Sequence, residues 1–217
     1  MPKIILASKS KVRKKILDEH DILNEVKPSN VDEDVVKIGL LKEKASPEII
    51  SKNLAELKAN KVSHNYSDNL VLGADSVIDL EGELISKPND RNEALEILKK
   101  LNGKKHHLIS SVCISKNGAM IWNHTDSSEL KMKNFSEAQL KNYLSKIKTE
   151  TLLAYGVYQI ESEGLKLFEY IKGDHKSIMG LPIKDIISYI EQYKKKNEKI
   201  FWNNWKPNKA FTVSSFT

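Results

Sequence analysis

Short apolar runs alternate along this chain with longer stretches in which apolar residues recur every three or four positions. Lys3 to Ala7 reads as a strand, Ser8-Lys9-Ser10 as a polar turn, and Lys11 to Glu19 as a helix with Val12, Ile16 and Leu17 inward. Ile22 to Val26 is a second strand, and Pro28 to Asp34 is a polar loop holding Asp32, Glu33 and Asp34. Ser46-Pro47-Glu48 opens a helix, with serine as cap and proline in the first turn. It runs to about His64, with Ile50, Leu54, Leu57 and Lys61 on one face and Lys58 near its edge. Leu70 to Leu72 reads as a buried strand. Gly73 and Ala74, small enough for close approach, lead to Asp75, and Val77 to Leu80 resumes the strand. Glu81-Gly82-Glu83 turns it, and the return strand ends at Lys87-Pro88.

Asp90 and Glu93 have capping-box spacing for a helix to Leu101, with Ala94, Ile97, Leu98 and Leu101 inward and Asn102-Gly103 as its stop. Lys105 to Ser115 and Ala119 to Lys133 form a long hairpin about Asn117-Gly118. Ser136 and Gln139 open a helix to about Lys146. Gly156 to Glu161 and Leu165 to Ile171 read as another hairpin around Gly164, broken by Gly173-Asp174-His175. An apolar elbow, Ile178 to Pro182, leads into a last helix, Ile183 to Tyr193, with Lys194 to Lys196 at its end. Interleaved strands and helices followed by long hairpins predict an α/β fold: a mixed, twisted sheet with flanking helices. The expected organisation is a single domain over 1–196 and an aperiodic extension over 197–217, carrying Phe201, Trp202, Trp205, Phe211 and Phe216, that is docked or flexible.

Composition narrows the class. The net charge of +6 comes from lysine, since the arginines are Arg13 and Arg91 alone. This suits anionic partners, but no basic arm gathers the charge, which argues against nucleic acid. The single cysteine, Cys113, excludes an internal disulfide framework and reads as a buried strand residue. No apolar run approaches a membrane span of about 18 residues and no signal-peptide core is present; the expectation is a cytoplasmic protein without membrane association. His106 and His107 are adjacent and so face opposite sides of a strand; they read as structural or rim residues.

No P-loop, dinucleotide fingerprint, zinc-binding pattern or nucleophile elbow is present. What remains is a set of polar groups at element ends. Asp75 and Lys87 mark either a surface hairpin with ordinary charges or a metal–phosphate site. Ser8, Ser10 and Arg13 supply either a phosphate cradle at a helix N-terminus or a simple cap with a surface cation. Of the three acids 32–34, any is a solvated or helix-starting charge or a metal-ligand carboxylate. Lys58, so near a helix edge, reads more readily as solvated.

These blocks together resemble the Maf proteins, nucleoside triphosphate pyrophosphatases also called septum formation inhibitors. The family's opening L-A-S-x-S-P-R-R is matched by Leu6 to Arg13, its D-E pair by Asp32-Glu33, and its L-A-x-x-K-A by Leu54 to Ala59. Its G-A-D-T-V-V and K-P are matched by Gly73 to Ile78 and Lys87-Pro88, its L-x-G-x-x-H by Leu101 to His106, and its closing G-D and G-L-P by Gly173-Asp174 and Gly180 to Pro182. The likeness spans roughly residues 3–193. Tyr158 to Glu161 and Leu167 to Glu169 look like one subgroup. Departures are Lys11 for the family's proline, Val12 for its first arginine, Ser76 for its threonine and Glu161 for its glutamine. Val12, Ser76 and Glu161 match positions that the family uses to choose a base, so the chemistry carries over but a base preference does not.

The resemblance implies two lobes around a central cleft, in an inosine-triphosphatase-like fold. It implies hydrolysis of a nucleoside triphosphate, possible modified nucleotides included, between the α- and β-phosphates, a divalent cation (Mg²⁺ or Mn²⁺) and a homodimer. Asp75 would be catalytic; Ser8, Ser10, Arg13, Lys58, Lys87, Ser76 and Glu161 would bind substrate; Glu33 and Asp75 would hold the metal. The alternative, motivated by Val12 and the basic surface, is a nucleotide- or nucleic-acid-binding regulator of cell division that has lost efficient catalysis.

Overall fold

The computed structural model describes residues 3–160 and 163–204. Glu161 lies outside the described residues, as does the tail from Trp205 on. The chain divides into two compact units, 1–183 and 184–217. The first holds a seven-stranded mixed sheet, the α/β arrangement expected from the interleaved pattern.

The strands are β1 (Ile4–Leu6), β2 (Asn24–Val26), β3 (Leu70–Leu80), β4 (Glu83–Ile85), β5 (Lys105–Lys116), β6 (Ala119–Met132) and β7 (Phe168–Lys172). Their order is β2-β1-β3-β5-β6-β7, with β4 also beside β3. β1 runs parallel to β2 and β3; the pairs β3–β4, β3–β5, β5–β6 and β6–β7 are antiparallel. β3 is the pivot. On one side it pairs with β5 from Val71 to Asp79. On the other, β1 pairs with it only at Leu70–Leu72 and β4 only at Ile78–Leu80. That leaves a notch opposite Gly73 to Val77, where no strand among the described residues fills the edge. Asp75 therefore stands mid-strand at this notch, opposite Ser111, and not at a strand end as its place after an apolar run suggests.

The helices are α1 (Lys11–Glu19), α2 (Glu33–Lys42), α3 (Pro47–Ser63), α4 (Arg91–Leu101), α5 (Glu137–Ser145), α6 (Thr149–Tyr155), α7 (His175–Ile178) and α8 (Ile183–Asn204). Capping chemistry starts most of them. Ser10, Asp32, Ser46, Asp90, Ser136 and Asp174 each accept a backbone N–H from the first turn. Ser136 and Gln139 complete a reciprocal capping box; Glu93 instead accepts from the backbone of Asn89.

Several expectations are corrected. The loop from Pro28 gives way at Glu33 to α2, which the apolar pattern hides because none of its residues is buried. On α3 the inward face carries Ile50, Leu54, Lys58 and Val62, while Leu57 is 42% exposed. Lys58 is buried, not at the edge, and Lys61 reaches out to the Asn30 carbonyl. Among the described residues the hairpin expected across Gly164 does not form. Val157, Tyr158 and Ile160 are buried without a ladder, residues 163–167 form a 3-10 turn, and β7 pairs instead with the end of β6. α6 was not foreseen. α8 continues through Lys194–Lys196 to Asn204, because no glycine or proline between 183 and 204 stops it.

α3 lies against β3 and β5. Gly73 is small for this packing, not for a ligand: a Cβ there would lie 2.1 Å from the Ala55 carbonyl oxygen and 2.7 Å from the Ala59 nitrogen. Buried Cys113 joins Ala55 and Ala59 in the same contact. Gly73→Val therefore forces α3 off the sheet. The expected loss is about 3 kcal/mol of unfolding free energy in urea titrations; a change within about 0.5 kcal/mol would contradict this packing.

Candidate active site

The notch opens into a cleft of about 500 Å³, a size suited to a small molecule. Its lining includes Ser8, Ser10, Arg13, Glu33, Lys58, Asp75, Ser76 and Lys87. Every candidate residue but Glu161, which lies outside the described residues, thus arrives in one place from five separate parts of the chain.

Successive side chains of β3 alternate sides, and the site divides accordingly. On the α3 side, Lys58 Nζ lies 2.8 Å from Asp75 Oδ1 and 2.8 Å from Glu33 Oε1. Lys58 and Asp75 are both buried; Glu33, at the start of α2, is half-exposed. Burial tends to raise the Glu33 carboxyl, but the ammonium of Lys58, with Lys37 and Lys87 beyond it, outweighs this and holds it below its ordinary range. Ser51 donates its hydroxyl to the Asp75 carbonyl and fixes the backbone. Asp75 Oδ2 is buried and has no hydrogen-bond partner among the described residues.

On the other side, Arg13 takes the place of a missing strand. Its Nη1 donates to the Ala74 carbonyl (3.0 Å) and to Ser8 Oγ (3.1 Å), its Nη2 to Ser76 Oγ (3.1 Å) and its Nε to the Gly180 carbonyl (2.9 Å). Four of its five donors are thus spent on the protein. The fork expected on a phosphate closes instead on β3 and on the turn after α7. Burial lowers the guanidinium's pKa, opposed by Asp75 and Glu33. Asp174 caps α7 and so delivers Gly180, whose φ of +99° favours glycine and where a Cβ would lie 3.1 Å from Ser76 Oγ and 3.3 Å from Arg13 Nε.

Ser76 Oγ also shares a hydrogen bond with Ser110 Oγ at 2.9 Å. Its hydroxyl is therefore held within the wall. Ser8 and Ser10 differ: Ser8 Oγ accepts from Arg13 and the Ser10 amide, and Ser10 Oγ accepts from the Arg13 amide. Each keeps its own O–H to donate into the cleft. Lys87 lies beyond the end of β4 and donates to the Ala154 carbonyl of α6 at 2.8 Å. Burial, then repulsion from Arg13, lowers its pKa.

Sequence reasoning missed Lys37, Ser110 and Tyr158, the first because α2 itself was missed. Tyr158 lines the cleft, and its hydroxyl is hydrogen-bonded to His106 Nε2 at 3.0 Å. Tyr143 donates to the Val157 carbonyl beside it. The buried His106 is thus structural, as its strand position suggested.

Carboxylates that share a cleft with lysines and serine hydroxyls suit a polyphosphate with its cation. Among the described residues no three acids, histidines or cysteines gather as a closed metal cage. The unpartnered Asp75 Oδ2 and the neighbouring Glu33 nevertheless fit Mg²⁺ or Mn²⁺, which binds through one or two carboxylates and completes its shell with water and phosphate oxygens.

Burial, with His107 adding to it, pushes His106 down to about 4. The unfolded chain protonates this group near pH 6.5, so its neutral form contributes fully above that pH. The contribution declines as pH falls towards 4, on the order of 3 kcal/mol in all. Denaturation midpoints at pH 7 and 4.5 test this: His106→Gln should flatten the acid loss, and an equal loss in both chains would contradict it.

Comparison with known proteins finds a family model described as Maf-like protein that matches residues 3–193. A nucleoside triphosphate pyrophosphatase of Pelagibacter ubique (strain HTCC1062) is 65% identical over 188 residues, covering 87% of this chain and 96% of that protein. A 7-methyl-GTP pyrophosphatase of Rhizobium etli is 34% identical over 191 residues, covering 88% and 96%. Among solved structures, a Ham1 protein of Staphylococcus aureus is similar at a TM-score of 0.40 and 14% identity, over 60% of this chain and 71% of that one.

Proposed function

Because the chain belongs to the Maf-like protein family, we propose that it is a nucleoside triphosphate pyrophosphatase. Water attacks the α-phosphorus, the bond from that phosphorus to the α–β bridging oxygen breaks, and a nucleoside monophosphate and pyrophosphate leave. The observation that carries this reading is the buried Asp75 Oδ2, without a hydrogen-bond partner among the described residues, on a side chain that lines a cleft rich in cations.

Each residue then has a task. Asp75 Oδ1 is held by Lys58, which orients the carboxylate; Oδ2 is the atom that faces the attacking water. Ser8 and Ser10 donate hydroxyls to phosphate oxygens, beside the first amides of α1, which lack intrahelical partners. Lys87 and Lys58 supply positive charge along the triphosphate, and Arg13 adds its charge from within the wall. Glu33 and Asp75 would hold a Mg²⁺ or Mn²⁺ ion, whose chemistry there is to neutralise phosphate charge and acidify water. Ser76 stays a candidate for base choice through the shape of the wall it shares with Arg13 and Ser110. Glu161 is carried over from the family resemblance alone.

The same resemblance extends the proposal to a homodimer, and a cytoplasmic location is proposed with it on the sequence pattern alone. Among the described residues no helix is long and apolar enough to cross a membrane.

The test is pyrophosphate release from a panel of ordinary nucleoside triphosphates and 7-methyl-GTP, with Mg²⁺ or Mn²⁺. Asp75→Asn keeps the shape of the side chain and removes its charge. Turnover should fall at least about 100-fold while circular dichroism stays unchanged. Full activity in that variant would remove Asp75 from its role, and no release from any nucleotide would overturn the function.

A further inference from the structure

Lys58 is placed unlike a residue that waits for a phosphate. Its ammonium is committed to Glu33 Oε1 and Asp75 Oδ1, each at 2.8 Å, and its side chain is only 7% exposed. Two of its three donors are thus used. It puts a positive charge between the same two carboxylates that fit a divalent cation. A doubly charged ion on that pair, with the ammonium still bonded to both, would set like charges a few ångströms apart in a poorly solvated place.

The surroundings allow the head of Lys58 to leave without disturbing the fold. Its helix is anchored by Ile50 and Leu54, both fully buried, so the backbone stays put while the four-carbon stem swings. Glu33 belongs to α2, which has no buried residue, and is the more easily surrendered partner. Ser8, Ser10 and Lys87 line the space into which the ammonium would turn.

We propose that Lys58 is an internal counter-cation that competes with a divalent metal for Glu33 and Asp75. In the metal-free protein it holds the two carboxylates together. On metal binding its ammonium is released from at least one of them and becomes available to the substrate's phosphates. This inference rests on the metal-dependent pyrophosphatase reading above.

The test uses the full chain and Mn²⁺ alone, without nucleotide. By calorimetry, Lys58→Met should bind Mn²⁺ at least about tenfold more tightly than the unaltered chain, because a competing charge is gone. Saturating Mn²⁺ should also raise its unfolding midpoint by more. Equal or weaker binding in the variant would overturn the proposal. A second measurement needs no variant: reductive dimethylation of Lys58, followed by mass spectrometry, should rise several-fold when Mn²⁺ is added to the unaltered chain. Unchanged reactivity would overturn the proposal even if Lys58→Met failed to fold. A chain that releases pyrophosphate but shows neither effect loses this inference and retains the pyrophosphatase reading. One that shows both effects but releases none retains this inference and loses that reading.

Discussion

A buried ammonium beside two carboxylates is the constraint on which the rest of this site depends. Removing Lys58 and Asp75 from water costs several kcal/mol per ion, repaid only when the partners meet at hydrogen-bond distance. At 2.8 Å on both sides they do. The consequence is mechanical as well as electrostatic. Lys58 comes from α3, Asp75 from β3 and Glu33 from α2, so three elements are tied at one point. Gly73 allows this by letting α3 sit directly on β3, two residues from Asp75.

The second constraint is the interrupted edge of β3. A central strand normally spends its carbonyls on neighbours along its whole length. Here β1 stops too early and β4 starts too late, and Arg13 fills part of the gap by donating to the Ala74 carbonyl. The gap makes the cleft; the guanidinium makes the gap tolerable. It also joins Ser8, Ser76 and Gly180, which are far apart in sequence, into one wall. A residue expected to grip substrate thereby becomes the frame on which substrate-facing groups are mounted.

Much of this was legible in the sequence because the site's polar groups stand next to strong local signals. Ser10 and Asp32 are helix caps, Asp75 interrupts an apolar strand, and Lys87 precedes proline. The mixed sheet followed from strands interleaved with helices that give way to long hairpins, one of them about Asn117-Gly118. What failed, failed for physical reasons. A helical face centred on Leu57 and one centred on Lys58 differ by a single position, and a buried lysine gives no apolar signal. α2 exposes Val35, Ile38 and Leu41, so its periodicity points to no core. Residues 156–160 carry strand-like residues that are buried by packing and by the Tyr143 and His106 hydrogen bonds, not by a ladder. Arg13's role was invisible because two of its four partners are backbone carbonyls, which carry no residue-type signal, and the other two are serine hydroxyls that fit a phosphate cradle as well.

The arrangement amounts to a cleft richer in cations than in acids, with one buried acid oxygen, Asp75 Oδ2, that has no hydrogen-bond partner among the described residues. The central claim is that water activated there attacks the α-phosphorus. Hydrolysis in ¹⁸O-labelled water, with mass analysis of both products, tests it most directly. The account predicts the label in the nucleoside monophosphate; label in the pyrophosphate would contradict it.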